Sequence, residues 1–308
     1  MDNSNVISLA DRCDFISDYG RSLNQLYEKD NLLKIINKLP LNPDIKYFIY
    51  ANNGPQYSHL LEQLANDSSI RILLYLSDET GFLPSNLLNH FDLIFKTYLN
   101  KPIERILPLP LILPDKVPVL SIKSIEERPV KAFFSGNLNF KRLDFLESCF
   151  SFKAPRPINK IRFEAIKSKL NQVKEIGAQD YSIQFTHNFR SGLSLSEYAK
   201  KLNNSKIALC PEGFFSKETF RHCEAARQGC IIISKKLPEF PFYENNPIIS
   251  LEKWNDWPSL VDHLLNDPLQ MEQIQKDTIH WYENDLSTNA ISLYINRSIY
   301  EHLGIKPN

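Results

Sequence analysis

Glu218, Arg221 and Glu224 follow one another at three-residue steps, so any helix that carries them presents all three on one face. They lie within residues 205–234, SKIALCPEGFFSKETFRHCEAARQGCIIIS, which parse as strand, loop, helix, strand. Residues 206–210 are apolar and short, and Pro211-Glu212-Gly213 breaks the run. Ser216 is a good N-cap, and the helix is expected to run from there to about Gln228. Gly229 supplies a left-handed C-terminal cap, and residues 230–233 begin the next buried strand. This makes one βαβ unit with a right-handed crossover. Phe220, Cys223 and Ala226 would face the sheet. A helix that starts just after the carboxyl end of a strand is an anion site, because its free N–H groups and its dipole point there. Lys217 and Arg221 add cations. Glu224 lies about 9 Å along the axis from Glu218 at 1.5 Å per residue, roughly the span from a diphosphate to a ribose. Arg221 on phosphate with Glu224 on ribose hydroxyls is a coherent constellation for a sugar nucleotide. Spacing alone fits a solvated salt-bridge face as well, and such faces are the commoner source of the pattern.

The same residues carry a resemblance. S-K-I-A-L-C-P-E-G, then E-x-x-R-x-x-E-A, then G-C-I-I-I-S is similar to the donor-binding segment of exostosin-like glycosyltransferases, and in detail to the branch that includes the ribitol xylosyltransferases. The resemblance extends over residues 192–257, including Trp254-Asn255-Asp256-Trp257, and to KAFFSGNLNFKRL at 131–143; it is thin in residues 1–70. It implies an α/β chain of GT-B type: two Rossmann-like domains facing a cleft, with the nucleotide sugar held mainly by the C-terminal one. It implies a hexosyl- or pentosyltransferase that moves a sugar from a UDP-sugar to a hydroxyl of a glycan or lipid-linked glycan, with inversion, in surface polysaccharide or glycoconjugate synthesis. The donor side would comprise Gly136, Arg142, Glu212, Gly213, Ser216, Lys217, Glu218, Arg221 and Glu224. Gly136 would allow close backbone approach, Arg142 would reach the diphosphate, and Glu212 would face the donor sugar. A surface cation and an exposed turn residue are the alternatives for Arg142 and Glu212. Many members of the resembling family carry an arginine or a neutral residue where this chain has Glu212, which bears on sugar preference.

Transfer also needs a group to take the proton of the acceptor hydroxyl. Asp78 and Glu79 follow the strand-like run RILLYL at 71–76, and ligand-facing residues cluster at such strand ends. Adjacent carboxylates also tend to raise one pKa. A turn-capping Asp78 beside an exposed Glu79 is the alternative. His59 is a second candidate base. No D-x-D triplet occurs, so the leaving diphosphate would be neutralised by the helix N-terminus, Lys217 and Arg221. The expectation is turnover without metal and without a cofactor beyond the sugar nucleotide.

These residues need a scaffold, and 308 residues fit two domains at roughly 150 residues each. Apolar runs at 45–50, 71–76 and 93–95 read as strands, with a turn signal at Asn52-Asn53-Gly54-Pro55 and helical leucine spacing over 56–65. Prolines at 108, 110, 114, 118 and 129 mark residues 106–129 as a connector. Strand and helix then alternate again, with a strand at 130–134, a turn at 135–137 and a helix over 141–149. Ser194 and Glu197 have capping-box spacing at the start of another helix. The expected division is an acceptor domain at 1–128 and a donor domain at 129–308, with a helix in 288–308 crossing back to the first domain.

Composition narrows the classes further. Thirty-six basic and thirty-six acidic residues give no net charge, which argues against a nucleic-acid partner. Five cysteines without a C-x-x-C pair indicate neither a disulfide framework nor a zinc knuckle, and favour a reducing compartment. The first residues lack the pattern of a leader and no apolar run reaches 18 residues, so a cytoplasmic protein is expected, with room for peripheral association at the inner membrane face. The absence of G-x-G-x-x-G after a strand argues against a dinucleotide enzyme. The remaining alternative is a protein of transferase fold that binds nucleotide or glycan without turnover.

Overall fold

The computed structural model describes all residues except 1–4, 9–12, 18–25, 27, 41, 43, 52–68, 77–78, 82–88, 100, 102, 151–152, 155, 171–179, 189–190 and 306–308. The chain forms two compact units. One comprises Met1–Asp115, Pro238–Phe242 and Asn284–Asn308; the other comprises Lys116–Leu237 and Tyr243–Glu283.

The first unit holds a sheet of β1 (Asn5–Ser8), β2 (Cys13–Ser17), β3 (Ile45–Ala51), β4 (Ile70–Leu76), β5 (Leu93–Lys96) and β6 (Ile106–Pro108), in that spatial order. β1 is antiparallel to β2, and every other pair is parallel. IKYFIYA in β3 and IRILLYL in β4 are near-continuous apolar runs, as a parallel sheet covered on both faces requires. Proline at the end of β6 is tolerated because β6 lies at the sheet edge. The turn expected at 52–55 and the helix expected at 56–65 lie outside the described residues. Leu32 and Ile35 of the helix Lys29–Ile36 pack into this core beside Ile49, Leu74 and Phe95. So do Ile291, Ile295 and Ile299 of the helix Thr288–Leu303, whose spacing of four makes one apolar stripe. The C-terminal helix, amphipathic by its sequence, thus packs in the first unit.

The second unit holds β7 (Val130–Asn137), β8 (Tyr181–Thr186), β9 (Ser205–Cys210), β10 (Ile231–Ser234) and β11 (Ile249–Ser250). All pairs are parallel and the order is β11-β10-β9-β7-β8. The chain therefore leaves β7 toward β8 and returns on the other side at β9. That reversal is a topological switch point, the place at which open α/β sheets bind ligands at the carboxyl ends of their strands. The described strands of the first sheet run in chain order and contain no such reversal.

Residues 116–128, expected as connector, belong to the second unit. The buried Arg128 explains the attachment. Its guanidinium donates to the carbonyls of Lys123 (3.1 and 3.0 Å), Ser205 (2.9 Å) and Gln228 (2.5 Å), and contacts Cys230 Sγ at 3.2 Å. Ser205, Gln228 and Cys230 stand at the amino ends of β9 and β10, so one side chain fastens the proline-rich segment to that edge of the sheet.

Candidate functional site at the switch point

The β7 end contributes Ser135, Gly136 and Asn137, followed by Asn139 and a 3-10 turn, Phe140–Arg142. The β9 end contributes residues 211–219 and then the helix Phe220–Arg227. This helix starts four residues later than Ser216, its expected cap. The Gly213 N–H donates to the Ser216 carbonyl at 2.8 Å, and the Glu218 N–H donates to Ser216 Oγ at 3.0 Å. Ser216 therefore closes a turn inside the loop, and Ser216, Lys217 and Glu218 all precede the helix. Thr219 is the true N-cap, in a capping box with His222. The Thr219 N–H donates to His222 Nδ1 at 3.2 Å, and His222 Nε2 lies 2.8 Å from Ser234 Oγ on β10. Burial pulls the His222 pKa down to about 4, so its ring is neutral at pH 7.

Glu218, Arg221 and Glu224 are not a solvated stripe. Glu218 is only 2% exposed and Glu224 only 9%. Arg221 Nε donates to the Ser135 carbonyl at 3.0 Å, and its guanidinium lies 5.1 Å from the centre of the Phe134 ring. A Cβ on Gly136 would sit 2.0 Å from Arg221 Nη2 and 2.8 Å from its Cζ. The missing side chain of Gly136 is thus the space that Arg221 occupies. Among the described residues, Arg221 Nη1 and Nη2 make no hydrogen bond.

Behind Arg221, the Tyr198 hydroxyl donates to Glu224 Oε2 at 2.7 Å. Burial raises the pKa of Glu224, and the Tyr198 hydrogen bond and the charges of Arg221 and Arg227 offset part of that rise. Burial also lifts Tyr198 well above the usual phenol range, as does the charge of Glu224, so its hydroxyl remains a donor. Its ring packs on Phe133, centres 5.5 Å apart. A cavity of about 10 Å³, one water in size, lies among Phe134, Ser135, Tyr198, Cys210 and Arg221.

Arg142 is buried and points inward. Its Nε donates to the Glu212 carbonyl at 2.7 Å, and its Nη1 donates to Asn137 O at 2.7 Å and to Asn137 Oδ1 at 3.1 Å. It ties the β7 loop to the β9 loop, which differs both from the diphosphate contact expected of it and from a surface cation. Glu212 accepts from Trp254 Nε1 at 2.9 Å, so its half-buried carboxylate is held rather than loose in a turn. Gly213 is buried and Lys217 is exposed.

In the first unit, Glu79 is half-buried in the turn after β4, while Asp78 and His59 lie outside the described residues. None of the five cysteines forms a disulfide, and burial drives the Cys210 and Cys223 thiols far up, which removes them as nucleophiles at neutral pH. Sequence reasoning missed Tyr198, His222, Ser135 and Phe134. His222 had a local signal, three residues after Thr219, at the capping-box spacing usually filled by glutamate or glutamine.

No protein-family model matches the chain, and no curated protein matches it in sequence. Solved structures match it in shape. OtsA superposes with a TM-score of 0.50 at 12% identity, over 91% of this chain and 78% of OtsA. The fold is of the GT-B type, two Rossmann-like domains in one chain. TarM matches with a TM-score of 0.47 at 12% identity over 87% of this chain, which spans 58% of TarM's length. The UDP-forming α,α-trehalose-phosphate synthase from Burkholderia xenovorans matches with a TM-score of 0.47 at 10% identity, over 90% of this chain and 78% of its own. Among the described residues no helix is long and apolar enough to cross a membrane.

Proposed function

We propose that the chain is a glycosyltransferase that takes its sugar from a sugar nucleotide. The observation that carries this reading is Arg221: two guanidinium nitrogens uncommitted among the described residues, at a switch point, in a gap kept by glycine. The diphosphate lies against Arg221 and the 213–219 loop, with Lys217 as a second cation. Glu224 accepts a ribose hydroxyl through Oε1, while Tyr198 holds Oε2. Glu212, fixed by Trp254, faces the transferred sugar. Uracil as the base, inversion and a glycan or lipid-linked glycan acceptor follow from the exostosin-like resemblance of residues 192–257.

In the reaction, the acceptor hydroxyl oxygen bonds to the anomeric carbon as the bond from that carbon to the diphosphate oxygen breaks. Asp78 or Glu79 takes the hydroxyl proton, and nucleoside diphosphate leaves with the bond's electron pair. Arg221 and Lys217 balance the leaving charge, so no metal takes part. The test is a transfer assay with a panel of UDP-sugars and glycan acceptors, run in chelator and in manganese. Equal nucleotide release in both is the expected result. Activity lost in chelator and restored by manganese contradicts the metal-free step, and donor binding without transfer to any acceptor favours a binding protein.

A further inference from the structure

The carboxylate of Glu224 is held from a neighbouring helix. Ser194 caps the helix Leu195–Asn203 in a full capping box. Its Oγ accepts from the Glu197 N–H at 3.3 Å, and its N–H donates to Glu197 Oε2 at 3.0 Å. The Tyr198 N–H donates to the Ser194 carbonyl at 2.8 Å, so Tyr198 sits in that fixed first turn. This helix follows β8 as the Phe220–Arg227 helix follows β9, which brings Tyr198 to the same ends of the strands as Arg221. Both side chains line the one-water cavity. The capped turn and the packing of the ring on Phe133 aim the Tyr198 hydroxyl at Glu224 Oε2, 2.7 Å away. Among the described residues, Glu224 Oε1 makes no hydrogen bond. One carboxylate oxygen is taken and the other is left.

We propose that Tyr198 is a positioning residue that makes the site prefer ribonucleotides to deoxyribonucleotides. The inference rests on the Glu224–ribose contact proposed above. An ionised carboxylate accepts from a hydroxyl more strongly than a neutral carboxyl does. Tyr198 acts on that bond twice. It fixes the rotamer of the carboxylate, and its hydrogen bond favours the ionised form of a group that burial pushes toward neutrality. Arg221 and Arg227, on the same helix as Glu224, act in the same sense. Tyr282 interacts with Arg227 in turn, and burial keeps the nearby Cys210 and Cys223 thiols protonated. Removing the Tyr198 hydroxyl therefore moves the titration of Glu224 to higher pH and loosens its rotamer.

Calorimetry of the full chain with UDP, 2′-deoxy-UDP and 3′-deoxy-UDP from about pH 5 to about pH 8 tests it. The ratio of UDP affinity to that of the weaker deoxy analogue cancels the titration of the diphosphate, which all of them share. The wild type should prefer UDP by about ten- to a hundredfold near neutral pH. Tyr198→Phe should lower that ratio about fivefold, and the ratio's fall toward acid should begin at higher pH than in the wild type. In a Glu224→Gln background this acid limb should be absent, with or without the Tyr198 hydroxyl; a limb that persists there overturns the inference. If Tyr198→Phe does not fold, 3-fluorotyrosine in its place keeps the ring's packing and donates more strongly. It should move the limb to lower pH, and an unmoved limb overturns the inference. An equal ratio and an equal pH profile in Tyr198→Phe and the wild type overturn the role of Tyr198 and leave the Glu224 contact standing. A wild type that binds all the nucleotides alike removes the Glu224–ribose contact itself, and the inference with it.

Discussion

Gly136 and Arg221 work as a pair, in which an absent side chain fixes the place of a present one. A methyl group on Gly136 meets the far end of a flexible arginine, not backbone, so the guanidinium can swing away. Gly136→Ala should therefore fold with stability within about 1 kcal/mol of wild type while its affinity for UDP falls by roughly ten- to a hundredfold. Urea titration and calorimetry measure the two quantities separately. Unchanged affinity would return Gly136 to a purely structural role. Glu224 shows why a residue's neighbours matter as much as its own type. Sequence spacing assigned it to a stripe, but its carboxylate is buried under Tyr198, 26 positions away in the chain.

At the scale of elements, what was legible was local. Ser194 and Glu197 form the capping box that their spacing announced, and Gly229 adopts φ 61°, the left-handed cap its position after the helix implied. Strands β3, β4 and β9 fell where apolar runs placed them. The start of the Phe220–Arg227 helix did not, because Ser216 found a partner inside its own loop and Thr219, boxed with His222, took the capping role. Arg142 bridging to Glu212, 70 positions on, carries no local signal at all. His222 also gives the element a pH signature. Its folded pKa of about 4 lies below the ordinary value near 6.5, so the unfolded chain binds this proton first. Its contribution is complete above pH 6.5 and is lost as pH falls toward 4. Between pH 7 and pH 5 that loss is about 2 kcal/mol. His222→Gln should flatten the slope of stability against pH by that amount in urea titrations. An identical slope in both proteins would show that the ring is not held neutral by its surroundings.

At the scale of the molecule, the alternation of strands and helices and the break near the prolines announced two α/β units, and the resemblance named their type. The order of strands was hidden, because which strand lies beside which depends on contacts remote in sequence. That order is what separates the two sheets. The described strands of the first unit follow the chain, whereas the second reverses between β7 and β9, and there Arg221, Gly136 and Glu224 converge. Asp78 and Glu79 follow β4 in a sheet whose described strands show no reversal, so topology gives them none of the support it gives Arg221. The most direct measurement is a crystal structure of the chain with UDP. Diphosphate oxygens are expected within about 3.2 Å of the Arg221 guanidinium, and a ribose hydroxyl on Glu224. UDP bound elsewhere, or the carboxyl ends of β7 and β9 closed off by packed side chains, would contradict the proposed donor site.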